Sequence, residues 1–188
     1  DGENHQGVAA FAAAHKYADV GDILAAARAK NEPPFIIIAD GLNDPHNLGS
    51  IIRSANAAGA HGVIIPKNRS VSLNSVVAKV STGAVEYTPV ARVTNIAQTI
   101  EKLKKEGLWI CGTALEASED YFDADLTGAL AIVIGSEGEG ISRIVRESCD
   151  FLVKIPMKGQ TESLNASVAA GILLYESLRQ RNAANKKG

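Results

Sequence analysis

Two glycine-bearing segments hold most of the residues that could do chemistry. One is Gly135-Ser136-Glu137-Gly138-Glu139-Gly140, and the other runs Ile155-Pro156-Met157-Lys158-Gly159-Gln160-Thr161-Glu162-Ser163-Leu164-Asn165. Each follows an apolar, β-branched run, Leu130 to Ile134 and Phe151 to Ile155, and loops after strands are where α/β proteins place ligands. Neither loop has the Gly-Lys-Ser/Thr of a phosphate cradle, and Glu137 and Glu139 would repel a phosphate. A neutral or cationic ligand fits better. Upstream, Asn47 and Arg53 lie six residues apart, at the start and in the second turn of a helix that follows the first strand.

Each of these residues also has a purely structural reading. Asn47 reads as a helix N-cap and Arg53 as a surface ion-pair partner, although a helix start beyond a strand's C-terminal end belongs to the ligand-binding edge. Gly135 and Gly138 equally serve a tight turn. Ser163 is as well placed to cap a helix as to present a functional hydroxyl. Asn165 is harder to explain structurally, because asparagine is a poor interior helix former unless its amide is used. His46, beside Asn47, reads first as a solvated loop histidine.

The elements that must position these groups alternate. Strands are expected at Phe35 to Ala39, Gly62 to Pro66, Leu108 to Thr113, Leu130 to Ile134 and Phe151 to Ile155. Helical patterns cover 22–30, 48–58, 73–80, 95–105, 141–148 and 163–181, the last with Leu164, Val168, Ile172, Tyr175 and Leu178 on one stripe. An extended piece is expected near 85–91 and irregular chain over 116–127. Such alternation calls for an α/β fold with a mainly parallel sheet covered by helices on both faces.

Composition narrows the class. The 188 residues are 46% hydrophobic and 21% charged, with a net charge of −2, which is ordinary for a globular domain and too weak to coat nucleic acid by bulk electrostatics. No apolar run approaches the roughly 20 residues that span a bilayer. Cys111 and Cys149 sit in apolar stretches and read as reduced thiols of a cytoplasmic protein. With His5, His15, His46 and His61 they form no zinc-ligand spacing, so no metal is expected.

Asp44-Pro45-His46-Asn47-Leu48-Gly49-Ser50-Ile51-Ile52-Arg53, Gly135-Ser136-Glu137-Gly138, and Ile155-Pro156-Met157 leading to Ser163-Leu164-Asn165 resemble, in order and spacing, the three motifs of SpoU-type RNA 2′-O-methyltransferases of the SPOUT superfamily. The resemblance extends from Phe35 to Arg181. His5-Gln6-Gly7-Val8, Lys79 to Glu86 and Pro89 to Asn95 look like the branch that methylates a guanosine ribose in bacterial 23S ribosomal RNA.

The resemblance implies a C-terminal trefoil knot, a homodimer and S-adenosylmethionine as cofactor. Thr113, Ala114, Leu115, Gly135, Gly138, Ile155, Met157, Leu164 and Asn165 would then form the cofactor shell, and the small residues Ala166, Ala169, Ala170 and Gly171 would permit close packing. It assigns Arg53 to the reacting centre, with Asn47, Glu137, Ser163 and Asn165 around it. Because a guanidinium stays protonated in proteins, Arg53 suits a phosphate clamp better than a base. Residues 1–20 would be a linker remnant after an N-terminal RNA-binding domain, and 21–188 the catalytic domain, binding cofactor but methylating RNA poorly. A tRNA ribose methyltransferase of the same family and a catalytically silent RNA-binding domain are the alternatives. A Rossmann-type enzyme would need a glycine-rich turn after the first strand, where Asn43-Asp44-Pro45-His46 stands instead.

Overall fold

The computed structural model describes residues 15–186; His5-Gln6-Gly7-Val8 and most of the expected linker lie outside the described residues. Phe35-Ile36-Ile37-Ile38-Ala39 carries no polar side chain, so a strand built from it must be covered on both faces. It forms β1 (Phe35–Asp40), an interior strand of a seven-stranded sheet with β2 (Gly62–Pro66), β3 (Val90–Val93), β4 (Trp109–Thr113), β5 (Glu119–Asp120), β6 (Leu130–Gly135) and β7 (Phe151–Lys154). The order is β3-β2-β1-β6-β4-β7-β5, and every pairing between these strands is parallel.

The pleat divides β1 between two apolar layers. Phe35, Ile37 and Ala39 join residues of α2 (Pro45–Ala57), α3 (Ser75–Val80) and α6 (Ala166–Asn185). Ile36 and Ile38 join residues of α1 (Val20–Ala29), α4 (Ile96–Lys105) and α5 (Arg143–Ser148). The expected α/β sheet, covered on both faces, is thus the observed one. A Cβ on Gly49 would come within 2.8 Å of the Val80 side chain, so this glycine lets α2 and α3 touch.

Several boundaries differ from expectation for local reasons. Helix α2 starts earlier: Asp44 is its N-cap, accepting from the His46 N–H, and Pro45 takes the first turn, where its missing donor costs nothing. Helix α6 starts later, at Ala166, with Asn165 as its cap. The extended piece expected near 85–91 is displaced, since residues 84–86 form a 3-10 turn, entered through Gly83 at φ 85°, and β3 follows only from Val90. Within the expected irregular stretch, Glu119–Asp120 adds a short edge strand. Expected linker residues are tied down from Tyr17 onward. Ala18 bridges to Ala91, the Tyr17 hydroxyl accepts from the Leu73 N–H at 2.8 Å, and Arg92 stacks 4.5 Å over the Tyr17 ring.

The apolar stripe expected on the last helix is not its buried face. Ala166, Ala170, Leu173, Leu174 and Ser177 are buried, whereas Val168 and Tyr175 are 50% and 52% exposed. Small residues win the core side because α6 packs on both α2 and β6.

At the opposite end of the sheet, buried His61 accepts from the Phe35 N–H through Nδ1 at 3.0 Å and pairs through Nε2 with Glu32 at 2.9 Å. Burial holds its pKa below the ordinary 6.5, against the raising effect of Glu32. The unfolded chain therefore takes up this proton first, so the stability His61 contributes is complete above about pH 6.5 and is lost as pH falls below it. We expect the melting temperature to drop between about pH 7.5 and pH 5, and His61→Gln, which keeps an acceptor for Phe35, to flatten that slope. Parallel pH profiles for the two proteins would count against this assignment.

Candidate active site

The C-terminal ends of β4, β6 and β7 open into one cavity of about 200 Å³. In an open parallel sheet this is the edge where ligands bind. Thr113, Ala114 and Leu115 enter it from the end of β4, Gly135 to Gly140 from the end of β6, Lys154 from the end of β7, and Ile155, Met157, Ser163 and Leu164 from the chain that follows. Both glycine-bearing segments, and the loop after Thr113, therefore share one pocket. Its apolar wall is Leu115, Ile134, Val153, Ile155, Met157 and Leu164.

Gly135 is required by a close approach. Its loop turns back on itself, with Ser136 N–H donating to Gly140 O at 3.1 Å and Gly140 N–H to Ser136 O at 2.9 Å. The returning Gly140 and Ile141 backbone occupies the space a Cβ on Gly135 would take. The narrow loop projects Glu137 towards α2 and α6.

There Glu137 joins the three sequence segments. Its Oε1 accepts from Asn47 Nδ2 at 3.4 Å, from Asn165 Nδ2, and from the Ala166 N–H at 3.3 Å. Asn165 Nδ2 also donates to Asn47 Oδ1 at 2.9 Å, while its own Oδ1 caps α6 by accepting from the Ser167 N–H at 2.9 Å and the Val168 N–H at 3.3 Å. Asn47 lies in the first turn of α2 and is 6% exposed. A carboxylate at the start of the 20-residue α6 also meets the positive end of its dipole.

The structure does not gather every candidate. Ser163 and Glu137 line the cavity, whereas Asn47 and Asn165 adjoin it through Glu137. Arg53 does not line it; its side chain is exposed on α2, with no ion pair among the described residues. His46 is exposed. Reasoning from sequence missed Glu116 and Arg146, which pair with each other at the cavity, and Lys154, which lies 3.9 Å from Asp120. Arg146 lies inside α5 and Lys154 is the last residue of β7, neither within a motif, so no local signal marks them. Both basic groups have carboxylate partners, which leaves Glu137 and Glu139 to set the pocket's character.

Cys111 and Cys149 are free. Burial pushes the Cys111 thiol up and that of Cys149 to about 12, so neither is a ready nucleophile. Among the described residues no three His, Cys, Asp or Glu side chains gather as a metal site.

A parallel sheet with its pocket beyond β4, β6 and β7, walled by two glycine-bearing loops and an asparagine-capped helix, is an α/β ligand-binding site of the kind open-sheet enzymes build at their strand ends. The chain belongs to the SpoU rRNA Methylase family, whose pattern matches residues 34–175. It is 58% identical over 178 residues to YacO of Bacillus subtilis (strain 168), a protein named for the TrmH family of tRNA/rRNA methyltransferases, covering 95% of this chain and 72% of YacO. Among solved structures it is similar to the SpoU methyltransferase AviRb from Streptomyces viridochromogenes (TM-score 0.76, 34% identity, 80% of this chain and 61% of AviRb). AviRb has also been solved in complex with the cofactor AdoMet. The A. aeolicus TrmH/SpoU tRNA modifying enzyme is similar as well (TM-score 0.75, 30% identity, 82% of this chain and 78% of that one). The chain thus spans about three fifths of the AviRb chain.

Proposed function

We propose that the protein transfers a methyl group from S-adenosylmethionine to the ribose 2′-hydroxyl of a guanosine in 23S ribosomal RNA. The observation that carries this reading is the meeting of all three motif segments at one pocket through Asn47, Glu137 and Asn165. The pocket's chemistry fits the cofactor. Leu115, Ile155, Met157 and Leu164 offer apolar cover for an adenosine, and Glu137 and Glu139 suit a cation that has no phosphates. When bound, the cofactor supplies an electrophilic methyl on a sulfonium sulfur.

The chain's own residues orient and exclude. Glu137, held by Asn47 and Asn165, fixes the loop on one side of the pocket, and the Ser163 hydroxyl stands on its wall. Holding two reactants in register supplies most of the acceleration, since effective molarities of order 10⁵ M are attainable. Arg53 clamps the RNA phosphate next to the target ribose and stabilises the developing alkoxide, the 2′-hydroxyl proton passing to that phosphate or to a neighbouring group. Arg53→Lys should lower kcat by about 100-fold with little change in cofactor affinity. Near-normal turnover with unchanged RNA affinity would discard the clamp.

The knot and the homodimer belong to the same proposal. The half-exposed Val168 and Tyr175 leave an apolar strip on α6 suited to a second copy. Residues 21–188 act as the catalytic domain. A tRNA ribose is the second reading, supported by the name of the A. aeolicus relative. Calorimetry with S-adenosylmethionine, then methylation of 23S and tRNA transcripts with and without the target 2′-hydroxyl, tests both. Absence of cofactor binding would leave the silent RNA-binding alternative.

A further inference from the structure

A second cavity, of about 350 Å³, shares no residue with the cofactor pocket. It lies between the segment ahead of α1 and the chain around the 3-10 turn, and its polar lining is His15, Lys16, Glu86, Tyr87 and Thr88. Tyr87 is 82% exposed, an aromatic ring left in water with little packing to explain it. Glu86 is open as well, with its side chain 60% exposed and His15 Nδ1 3.5 Å away. The His15 side chain is only 9% exposed, and its other ring nitrogen has no hydrogen-bond partner. None of these groups serves the methyl-transfer site.

The cavity is nevertheless tied to that site's helix. Asn56 Nδ2 donates to the Thr88 hydroxyl at 3.1 Å, and Asn56 neighbours Arg53 on the surface of α2, three residues away. From Asn47, at the cofactor pocket, to Asn56 is about 13 Å along the helix axis. The cavity is therefore displaced from the cofactor pocket on the Arg53 side of α2, where a nucleotide next to the one held by Arg53 would lie.

We infer that this cavity takes the guanine base of a nucleotide flanking the methylated one, in a single-stranded segment of the substrate RNA. The inference rests on the RNA methyltransferase reading above. Unpaired bases are bound by stacking on aromatic rings and by hydrogen bonds to their Watson–Crick edges, which Tyr87 and Glu86 supply side by side. Guanine presents two adjacent donors there, N1–H and the 2-amino group, to the two oxygens of a carboxylate. Adenine presents an acceptor at N1, which the Glu86 carboxylate repels. Lys16 adds a contact for the RNA backbone.

The test is fluorescence anisotropy of the full chain with labelled uridine dodecamers carrying one central guanosine or one central adenosine. S-adenosylmethionine affinity is measured in parallel as a check on the fold. The wild type should prefer the guanosine oligonucleotide by about ten-fold. Glu86→Gln should abolish most of that preference, and Tyr87→Ala should weaken both oligonucleotides by about ten-fold. Equal affinity for the two oligonucleotides, or a preference that survives Glu86→Gln, overturns the inference alone if cofactor and RNA still bind. If neither cofactor nor either oligonucleotide binds, the methyltransferase reading falls with it.

Discussion

Glu137→Ala should weaken S-adenosylmethionine binding by about 100-fold and lower stability by about 1–2 kcal/mol, because it removes one acceptor shared by three donors while the exposed carboxylate and Asn165 are partly compensated by water. Asn47 Nδ2, Asn165 Nδ2 and the Ala166 N–H all converge on the same carboxylate oxygen. Asn47 is 6% exposed, so its freed amide gains little water, whereas Asn165 is exposed and recovers part of its hydration. The larger loss is positional: without the carboxylate, the loop wall, α2 and the start of α6 are no longer held to one another. Glu137→Gln should fall between, since its amide keeps an acceptor but turns donors towards donors. Titration calorimetry and thermal melts of the two variants read these effects. A Glu137→Ala protein that binds cofactor within about three-fold of wild type and melts normally would show that the convergence holds nothing together.

Gly135→Ala should be worse, eliminating measurable cofactor binding and costing about 3 kcal/mol or more of stability. The added methyl would overlap Gly140 C and O and Ile141 N. These are backbone atoms, held by the reciprocal Ser136 and Gly140 hydrogen bonds, and cannot turn aside as a flexible side chain can. Relief requires the loop to open, which withdraws one wall of the pocket and the support of Glu137. Gly138→Ala provides the contrast, because a Cβ there meets nothing within 4 Å. If the two alanine variants melt and bind alike, close backbone approach is not why residue 135 is glycine.

Legibility differed from residue to residue. Every pocket candidate from Thr113 to Leu164 lines the cavity, Asn165 adjoining it, because each lies at the end of a strand or in the chain that follows one, and parallel strands deliver their C-terminal ends to one edge. From sequence the cap of the last helix reads as Ser163 with Asn165 inside the helix, whereas α6 starts at Ala166 and Asn165 is the cap. The buried face of α6 was not legible: apolar residues lie on more than one side of it, and only the neighbours α2 and β6 select Ala166, Ala170, Leu173 and Leu174. Asn47 read as a cap, and the tighter Asp44-Pro45 start moved it one turn inward, where it is buried. Arg53 carries the sharpest functional assignment and yet stands exposed, outside the pocket. RNA is the partner proposed to bring it into play.

By itself the sequence determined five of the seven strands, the six helices to within a few residues and the three motif segments, since period, β-branched runs and glycine positions act over a few neighbouring residues. Tertiary structure alone decided that Asn47 meets Asn165 across 118 positions and that both meet Glu137. Those contacts depend on β6 inserting between β1 and β4, a choice of strand order set by the packing of whole layers.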